Sequence, residues 1–277
     1  MVNMASVAVV IVTHNSEQVI GKCIDALQQQ PLDDIEINIV DSGSHDSTYL
    51  DTFERLPFVN VIRKDNIGFS QANNVGYNSC SMTAEYILFL NPDAFVDQLA
   101  LSQARQLMQK RSQVGCCGGR LLGYDIDTEV PTGRLDSAGI FRKWYGRWFD
   151  RGQGEPDVGQ FELVEETPAT CGAFMFCRRK ALQEILLPGG AVFDPDFFLY
   201  KEDIELSLRL RKNGWKIFYS PDLIAYHCRG WQKQRSKMDF SIRMNAARNE
   251  VLLYRKHPSI YFLWALLKYV CVRGLRV

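Results

Sequence analysis

Two hydrophobic periods take turns along the first part of the chain. Val7 to Val12 is an uninterrupted, mostly β-branched run bounded by polar residues, which predicts a strand buried on both faces. After "THNS", Ile20, Cys23, Ile24 and Leu27 recur at the i, i+3, i+4, i+7 spacing of one helix face, and Pro31 supplies the stop. "IEINIV" predicts a second strand ending at Asp41, "SHDSTYLDTFERL" a short helix with an Asp/Ser N-cap, and "FVNVI" a third strand. "SQANNVGYNSC" reads as a helix weakened by its Asn and Gly, and "YILFL" as a fourth strand ending at Asn91-Pro92-Asp93. Leu99 to about Arg111 is again helical.

This alternation with short connections predicts an α/β fold: a Rossmann-like, mostly parallel sheet with helices on both faces. Ligands of such sheets bind beyond the carboxyl ends of the strands. Those ends carry Thr13-His14-Asn15, Asp41-Ser42, Asp65-Asn66 and Asn91-Pro92-Asp93, so one crevice is expected to collect small polar residues and carboxylates. From Arg120 to Thr167 the periodicity fails, and a stretch of that length is expected to be functional or mobile. Beyond it, "TCGAFMFC" predicts a strand, "RRKALQEIL" a helix and "WKIFYS" a strand.

"FFLYKEDIELSLRLRKNGW" needs arbitration. Ile204, Leu206, Leu208 and Leu210 alternate as in a strand. Yet Glu202 and Asp203 open the segment and Arg209, Arg211 and Lys212 close it, which matches a helix dipole, and Asn213-Gly214 makes a C-cap. The segment is therefore read as a helix, and its acidic pair as either an N-terminal stabiliser or catalytic machinery.

Composition narrows the field. At 46% hydrophobic and 23% charged, the 277 residues suit a soluble globular protein with an ample core. Lys+Arg 32 balances Asp+Glu 32, which argues against a nucleic-acid partner. The eight cysteines show neither a CxxC pair nor a short disulfide framework, so a reducing, cytosolic compartment is expected. The N-terminal apolar run lacks a basic flank and is read as a strand, not a signal peptide.

Two residue types suggest metal chemistry. In "LNPDA", Pro92 fixes φ and presents Asp93 at the sheet edge. A single carboxylate there suits an Mg²⁺ or Mn²⁺ ion that keeps its waters and binds a diphosphate, or it caps the next helix. His227 gains weight as a ligand only if it folds beside Asp93, where imidazole with carboxylate favours Mn²⁺.

Taken in order, "VAVVIVTHNS", "IVDSGSHDST", "DNIGFSQANNVG", "LNPDA", "GAFMFCRR" and "FDPDFFLYKEDIELSLRLRKNGW", followed by His227, resemble family 2 glycosyltransferases, the inverting GT-A enzymes. Within them the chain looks like the rhamnosyltransferase-like branch of bacterial surface-polysaccharide biosynthesis, over roughly Val7 to Asn249. The resemblance implies that Thr13, His14, Asn15, Asp41 and Ser42 hold the nucleotide base and ribose, and that Asn66, Gly68 and Asn73 line the donor pocket. "NPD" stands where the family has D-x-D, so Asn91 and Asp93 would meet the donor, with Asp93 on the divalent ion and His227 completing the metal site. Asp203 would be the general base supported by Glu202, with Gly172 and Tyr200 near the acceptor. The implied donor is dTDP-rhamnose, with a UDP-hexose or UDP-N-acetylhexosamine as the alternative, and the implied acceptor a lipid-linked glycan such as an O-antigen or capsule precursor.

Two departures stand out. Asn91 replaces the first acid of D-x-D, and "QANNVG" lacks the Arg of the family's "ARN", which leaves the donor contact at Gln71 open. Of other classes, a sugar nucleotidyltransferase would need a Gly-rich basic loop after the first strand, which "VTHNSEQ" does not provide. A non-catalytic binding subunit is disfavoured by an intact Asp203.

Three further segments complete the expectations. "FRKWYGRWFDRGQGEPD", with Trp144, Tyr145, Trp148 and Phe149, is a lid, an acceptor platform built on Trp144 and Trp148, or a loop over its own small core. Arg229, Lys233 and Arg235 form a solvated basic loop or help to neutralise the diphosphate. "SIYFLWALLKYVCVRGLRV" is too short to span a bilayer; with Lys268, Arg273 and Arg276 it suits an anionic cytoplasmic leaflet, or it is a docking or dimerisation helix. The expected organisation is a GT-A domain over 1–257, with a nucleotide-binding half to about 119 and an acceptor half beyond it, then a C-terminal helix over 258–277.

Overall fold

The computed structural model describes residues 6–32, 34–228 and 240–275. The first part runs β1 (Val7–Thr13), α1 (Ile20–Gln28), β2 (Ile35–Ser42), β3 (Val59–Lys64), α2 (Phe69–Ser79), β4 (Tyr86–Leu90), β5 (Ala94–Val96) and α3 (Ala100–Lys110). β6 (Val114–Asp125), β7 (Val130–Ser137), β8 (Ile140–Arg142), β9 (Trp148–Asp150) and β10 (Glu165–Glu166) follow. The chain continues with β11 (Phe174–Arg178), α4 (Arg179–Gln183), α5 (Glu202–Lys212), β12 (Lys216–His227), α6 (Phe240–Lys256) and α7 (Phe262–Leu275).

One 10-stranded sheet carries the fold, in the order β10-β12-β6-β11-β4-β1-β2-β3, with β5 on β12 and β7 on β6. β3, β2, β1 and β4 are mutually parallel, β11 is antiparallel to both its neighbours, and β6 pairs parallel with β12. The predicted α/β architecture is therefore present, with a mostly parallel sheet and helices around it. β1 shows why its pattern has no polar alternation: Val7, Val9 and Ile11 enter one apolar cluster, while Ala8 and Val10 enter another. Successive side chains leave opposite faces of a strand, and both faces are covered here.

Three expectations are corrected. The helix predicted around "SHDSTYLDTFERL" is two 3₁₀ turns, Thr48–Leu50 and Phe53–Arg55. Asp46 accepts the Thr48 N–H at 2.9 Å, a local bond that competes with helix propagation. The irregular stretch after Arg120 contains ordered strands: β6 continues to Asp125 and pairs antiparallel with β7, and β8 and β9 form a separate ribbon. Pro131 and Gly133 in β7, with register shifts either side of Leu122, break the period that would have announced them. "WKIFYS" extends to His227 as one strand, with a register shift between Ser220 and Ile224 around Pro221.

β6 crosses position 119, and the sheet draws strands from both expected halves. Among the described residues no helix is long and apolar enough to cross a membrane. Arg229, Lys233, Arg235 and Arg276 lie outside the described residues.

Candidate active site

The carboxyl ends of β1 and β2 form one polar cluster. Pairing of Thr13 with Asp41 at the end of the ladder lets the Thr13 hydroxyl donate to the buried Asp41 carboxylate at 3.2 Å. Asp41 also accepts the Ser44 N–H at 3.1 Å, so it organises the turn after β2. The exposed His14 ring donates through Nδ1 to the Ser42 carbonyl at 2.9 Å. Asn15, at φ 50°, accepts the His45 N–H at 2.9 Å. The Ser42 hydroxyl accepts the Ile67 N–H at 3.2 Å and so ties this cluster to the loop before α2.

In that loop Asn66 is exposed and accepts the Gly68 N–H at 3.3 Å. Gly68 has φ 79°, and a Cβ there would stand 2.5 Å from the Phe198 ring. Glycine is required on both counts. Asn73 is placed differently from the expectation of a pocket-lining residue. It is buried in α2, and its amide donates to the Phe69 carbonyl one turn back at 3.0 Å.

A second cluster forms where β4 ends. Asp93 Oδ1 lies 3.2 Å from His227 Nε2, although the two are far apart in sequence. His227 thus folds beside Asp93, the placement that gives it weight as a candidate ligand. The opposite ring nitrogen, Nδ1, lies 2.8 Å from Oδ2 of Asp136, a fully buried residue of β7. Sequence reasoning misses Asp136, because its strand carries no readable period; a buried carboxylate opposite a metal-type histidine is a signal that exists only in three dimensions. Burial pulls the His227 pKa down, but the charges and hydrogen bonds of Asp93 and Asp136 outweigh it and raise it to about 9. Burial likewise pushes Asp93 up, and the His227 charge more than reverses this, leaving its carboxyl below the usual range.

A buried imidazole between two carboxylates is a site short of positive charge. The donor set of carboxylate oxygen and imidazole nitrogen suits a divalent ion such as Mn²⁺. Beside it, Asn91 Nδ2 lies 3.4 Å from His227 Nε2, and Asn91 Oδ1 is buried without a hydrogen-bond partner. These residues fit a divalent ion that takes its remaining ligands from water and a diphosphate. Among the described residues no group of three or more His, Cys, Asp or Glu side chains is arranged to hold a metal ion.

The acidic pair heads α5, as the helical reading required. Asp203 Oδ2 accepts the Gly172 N–H at 3.0 Å, and its Oδ1 accepts the Ile204 N–H at 2.7 Å. Burial, then the nearby charge of Asp150, raises the Asp203 pKa. Burial, then the charge of Asp203, pushes Glu202 up to about 8, and its Oε2 is buried without a partner. Tyr200 and Lys201, immediately before the pair, both hold left-handed backbone at φ 76° and 74°.

The segment leading into β11 connects this acid to the Asp93–His227 cluster. Gly172 binds Asp203, and the carbonyl of the next residue, Ala173, accepts the Asn91 N–H at 3.1 Å. The base candidate and the "NPD" turn thus attach to adjacent residues of one segment.

The aromatic insertion behaves in two ways. Trp148 is corrected as an acceptor contact: it is 5% exposed within the core, with Arg142 over its ring at 5.3 Å, and has no face to offer a sugar. Trp144 is 86% exposed at the β8–β9 turn, and its neighbour Tyr145 packs edge-on against Trp264 of α7 at 4.8 Å. The ribbon is therefore anchored on the C-terminal helices.

EpsJ of Bacillus subtilis (strain 168), described as an uncharacterized glycosyltransferase, is 31% identical over 129 residues, covering 45% of this chain and 37% of its own length. The structure of GalNAc-T7 with UDP, GalNAc and Mn²⁺ superposes with TM-score 0.67 at 17% identity, over 99% of this chain and 58% of that one. The mannosyltransferase PcManGT from Pyrobaculum calidifontis, in complex with GDP-Man and Mn²⁺, gives TM-score 0.62 at 17% identity, over 98% and 70%. At such identities the superpositions establish a shared GT-A fold, and this chain spans less than two thirds of EpsJ and of GalNAc-T7. The sequence model described as Glycosyl transferase family 2 matches residues 8–186, well over half of the 277, and the chain belongs to that family.

Proposed function

We propose that this chain is an inverting, metal-dependent glycosyltransferase that moves a sugar from a nucleotide donor onto a hydroxyl of a bacterial glycan. One observation carries the reading: Asp203 and the Asn91-Pro92-Asp93 turn are held by adjacent residues of one segment, Gly172 and Ala173, with His227 closing on Asp93. A base at the head of α5 and a cation site just beyond the end of β4 supply the two functions that inverting transfer from a nucleoside diphosphate requires.

In this reading the carboxylate of Asp203 takes the proton of the acceptor hydroxyl. The hydroxyl oxygen bonds to the anomeric carbon as the bond from that carbon to the diphosphate oxygen breaks on the opposite face. The burial that raises the Asp203 pKa strengthens it as a base, while the Gly172 and Ile204 N–H groups hold its orientation. A divalent ion held by Asp93 and His227 would stabilise the charge gathering on the departing diphosphate. Thr13, His14, Asn15, Asp41 and Ser42 surround the place for the nucleoside, with Asn66 and Gly68 beside it. Similar structures complexed with Mn²⁺ and with UDP or GDP-Man support a nucleotide-sugar donor and a divalent ion.

The preferred donor is dTDP-rhamnose, on the branch resemblance of the motifs, with UDP-hexoses and UDP-N-acetylhexosamines as the near alternatives. The acceptor is a lipid-linked glycan, and Gly172, Tyr200 and the exposed Trp144 are the remaining candidates to meet it. The exposed stripe Ile260, Leu263, Leu267 and Val270 on and before α7, with exposed Lys143 and Arg273, supports peripheral contact with an anionic bilayer.

The experiment is a panel of nucleotide sugars scored by thermal shift with Mn²⁺ present. The reading expects one base and sugar class to raise Tm; no shift with any of them would overturn it.

A further inference from the structure

The backbone just before the acidic pair is unusual. Tyr200 and Lys201 are consecutive non-glycine residues at φ 76° and 74°, and Lys201 caps α5 with no side-chain hydrogen bond. L-residues reach this region at a cost, and two in a row persist only where the surroundings determine them. The geometry directly fixes where Glu202 and Asp203 begin.

The surroundings are α6. Asn249 is 2% exposed, and its Nδ2 donates to the Leu199 carbonyl at 2.8 Å and to the Tyr200 carbonyl at 2.9 Å. Asn245, one turn earlier on the same helix face, donates to the Leu199 carbonyl at 3.0 Å. On the other side, the Phe198 carbonyl accepts the Phe69 N–H at 2.8 Å, and the Phe198 ring fills the space Gly68 leaves open. The segment is thus pinned between the loop before α2, on the donor side, and two amides of α6.

We infer that Asn249, with Asn245, is a positioning residue: its amide holds the left-handed Tyr200–Lys201 turn, and the turn holds Asp203 in line with the acceptor hydroxyl. The inference rests on the reading of Asp203 as the base. It gives α6 a place in the site through the main-chain carbonyls of Leu199 and Tyr200. Simple docking of α6 is the competing explanation, and α6 has a separate tether for that: Lys256 pairs with Asp194 and Asp196, each at 2.6 Å.

The test compares Asn249→Ala, Lys256→Ala, Lys201→Gly and the Asn249→Ala/Lys201→Gly double variant in full-length protein, by Tm and by kcat and donor KM. Asn249→Ala is expected to lower kcat about 10- to 100-fold with donor KM within about twofold. Glycine adopts φ 74° unaided, so the same substitution is expected to cost less than about threefold in the Lys201→Gly background. Lys256→Ala is expected to lower Tm and keep kcat. Wild-type kcat in Asn249→Ala, or an equal loss in both backgrounds, would overturn the inference. If Asn249→Ala fails to fold, Asn245→Ala, which removes one bond, must show the same kcat-selective loss or the inference falls. Absence of turnover in the wild type instead overturns the functional reading, and the positioning claim with it.

Discussion

Asp203 rests on the backbone of Gly172: its Oδ2 accepts that N–H at 3.0 Å, and a Cβ at position 172 would stand 3.3 Å from the Asp203 Cβ. The absence of a side chain at Gly172 is what allows the approach. Gly172→Ala therefore has to move the carboxylate by a few tenths of an ångström. It is expected to lower kcat about tenfold while Tm changes by little, measured by steady-state kinetics beside thermal unfolding. Unchanged kcat would mean that the contact does not set the position of the carboxylate.

Asp136 orients His227 from the side away from Asp93. If His227 takes part in the cation site, Asp136→Asn keeps an oxygen near Nδ1 and removes the charge. Mn²⁺ affinity, measured calorimetrically in the presence of a nucleoside diphosphate, is expected to fall about 10- to 100-fold. Affinity equal to the wild type would remove Asp136 from the account.

Glu202 links the acidic pair to stability. Its folded pKa is pushed from 4.5 to about 8, so the unfolded chain ionises first as pH rises. The protonated group's contribution is complete below pH 4.5 and is lost as pH rises through about 8. Glu202→Gln, which cannot ionise, is expected to match the wild type near pH 4 and to exceed its Tm near pH 8.5, with the gap widening as pH rises between the two. A Tm difference independent of pH would contradict this origin.

The α7 stripe is tested by substitution, not deletion, because Tyr261 packs under Arg142 at 4.3 Å and its loss would disturb the ribbon. Leu263→Glu combined with Leu267→Glu places charge on two exposed positions. Co-sedimentation with vesicles containing anionic phospholipid is expected to drop about tenfold or more from the wild-type value. Equal sedimentation of both proteins would reject the membrane contact.

Much of this arrangement is legible in the sequence, for identifiable reasons. β1 and β4 are continuous apolar runs and β2 alternates Ile35, Ile37 and Ile39 with Glu36 and Asn38, so the hydrophobic pattern alone locates the polar residues at or just beyond their ends, Thr13, Asp41 and Asp93. α5 declares itself through charge order and its Asn-Gly cap, despite alternating leucines. Asp136 is hidden because Pro131 and Gly133 disguise its strand. Asn249 is hidden because its partners are main-chain carbonyls, and nothing in "LYKED" signals left-handed backbone at Tyr and Lys. Trp148 misleads for the opposite reason: an aromatic in an irregular stretch looks available, and here it is core.

The role of Asp203 as the base of a sugar transfer is read out by release of nucleoside diphosphate in the presence of donor, acceptor glycan and Mn²⁺. Wild type and Asp203→Asn are compared at saturating donor. Turnover by the wild type, equal donor binding by both proteins, and a loss of about 10²–10⁴-fold in the variant are expected. Wild-type turnover in Asp203→Asn would contradict that role.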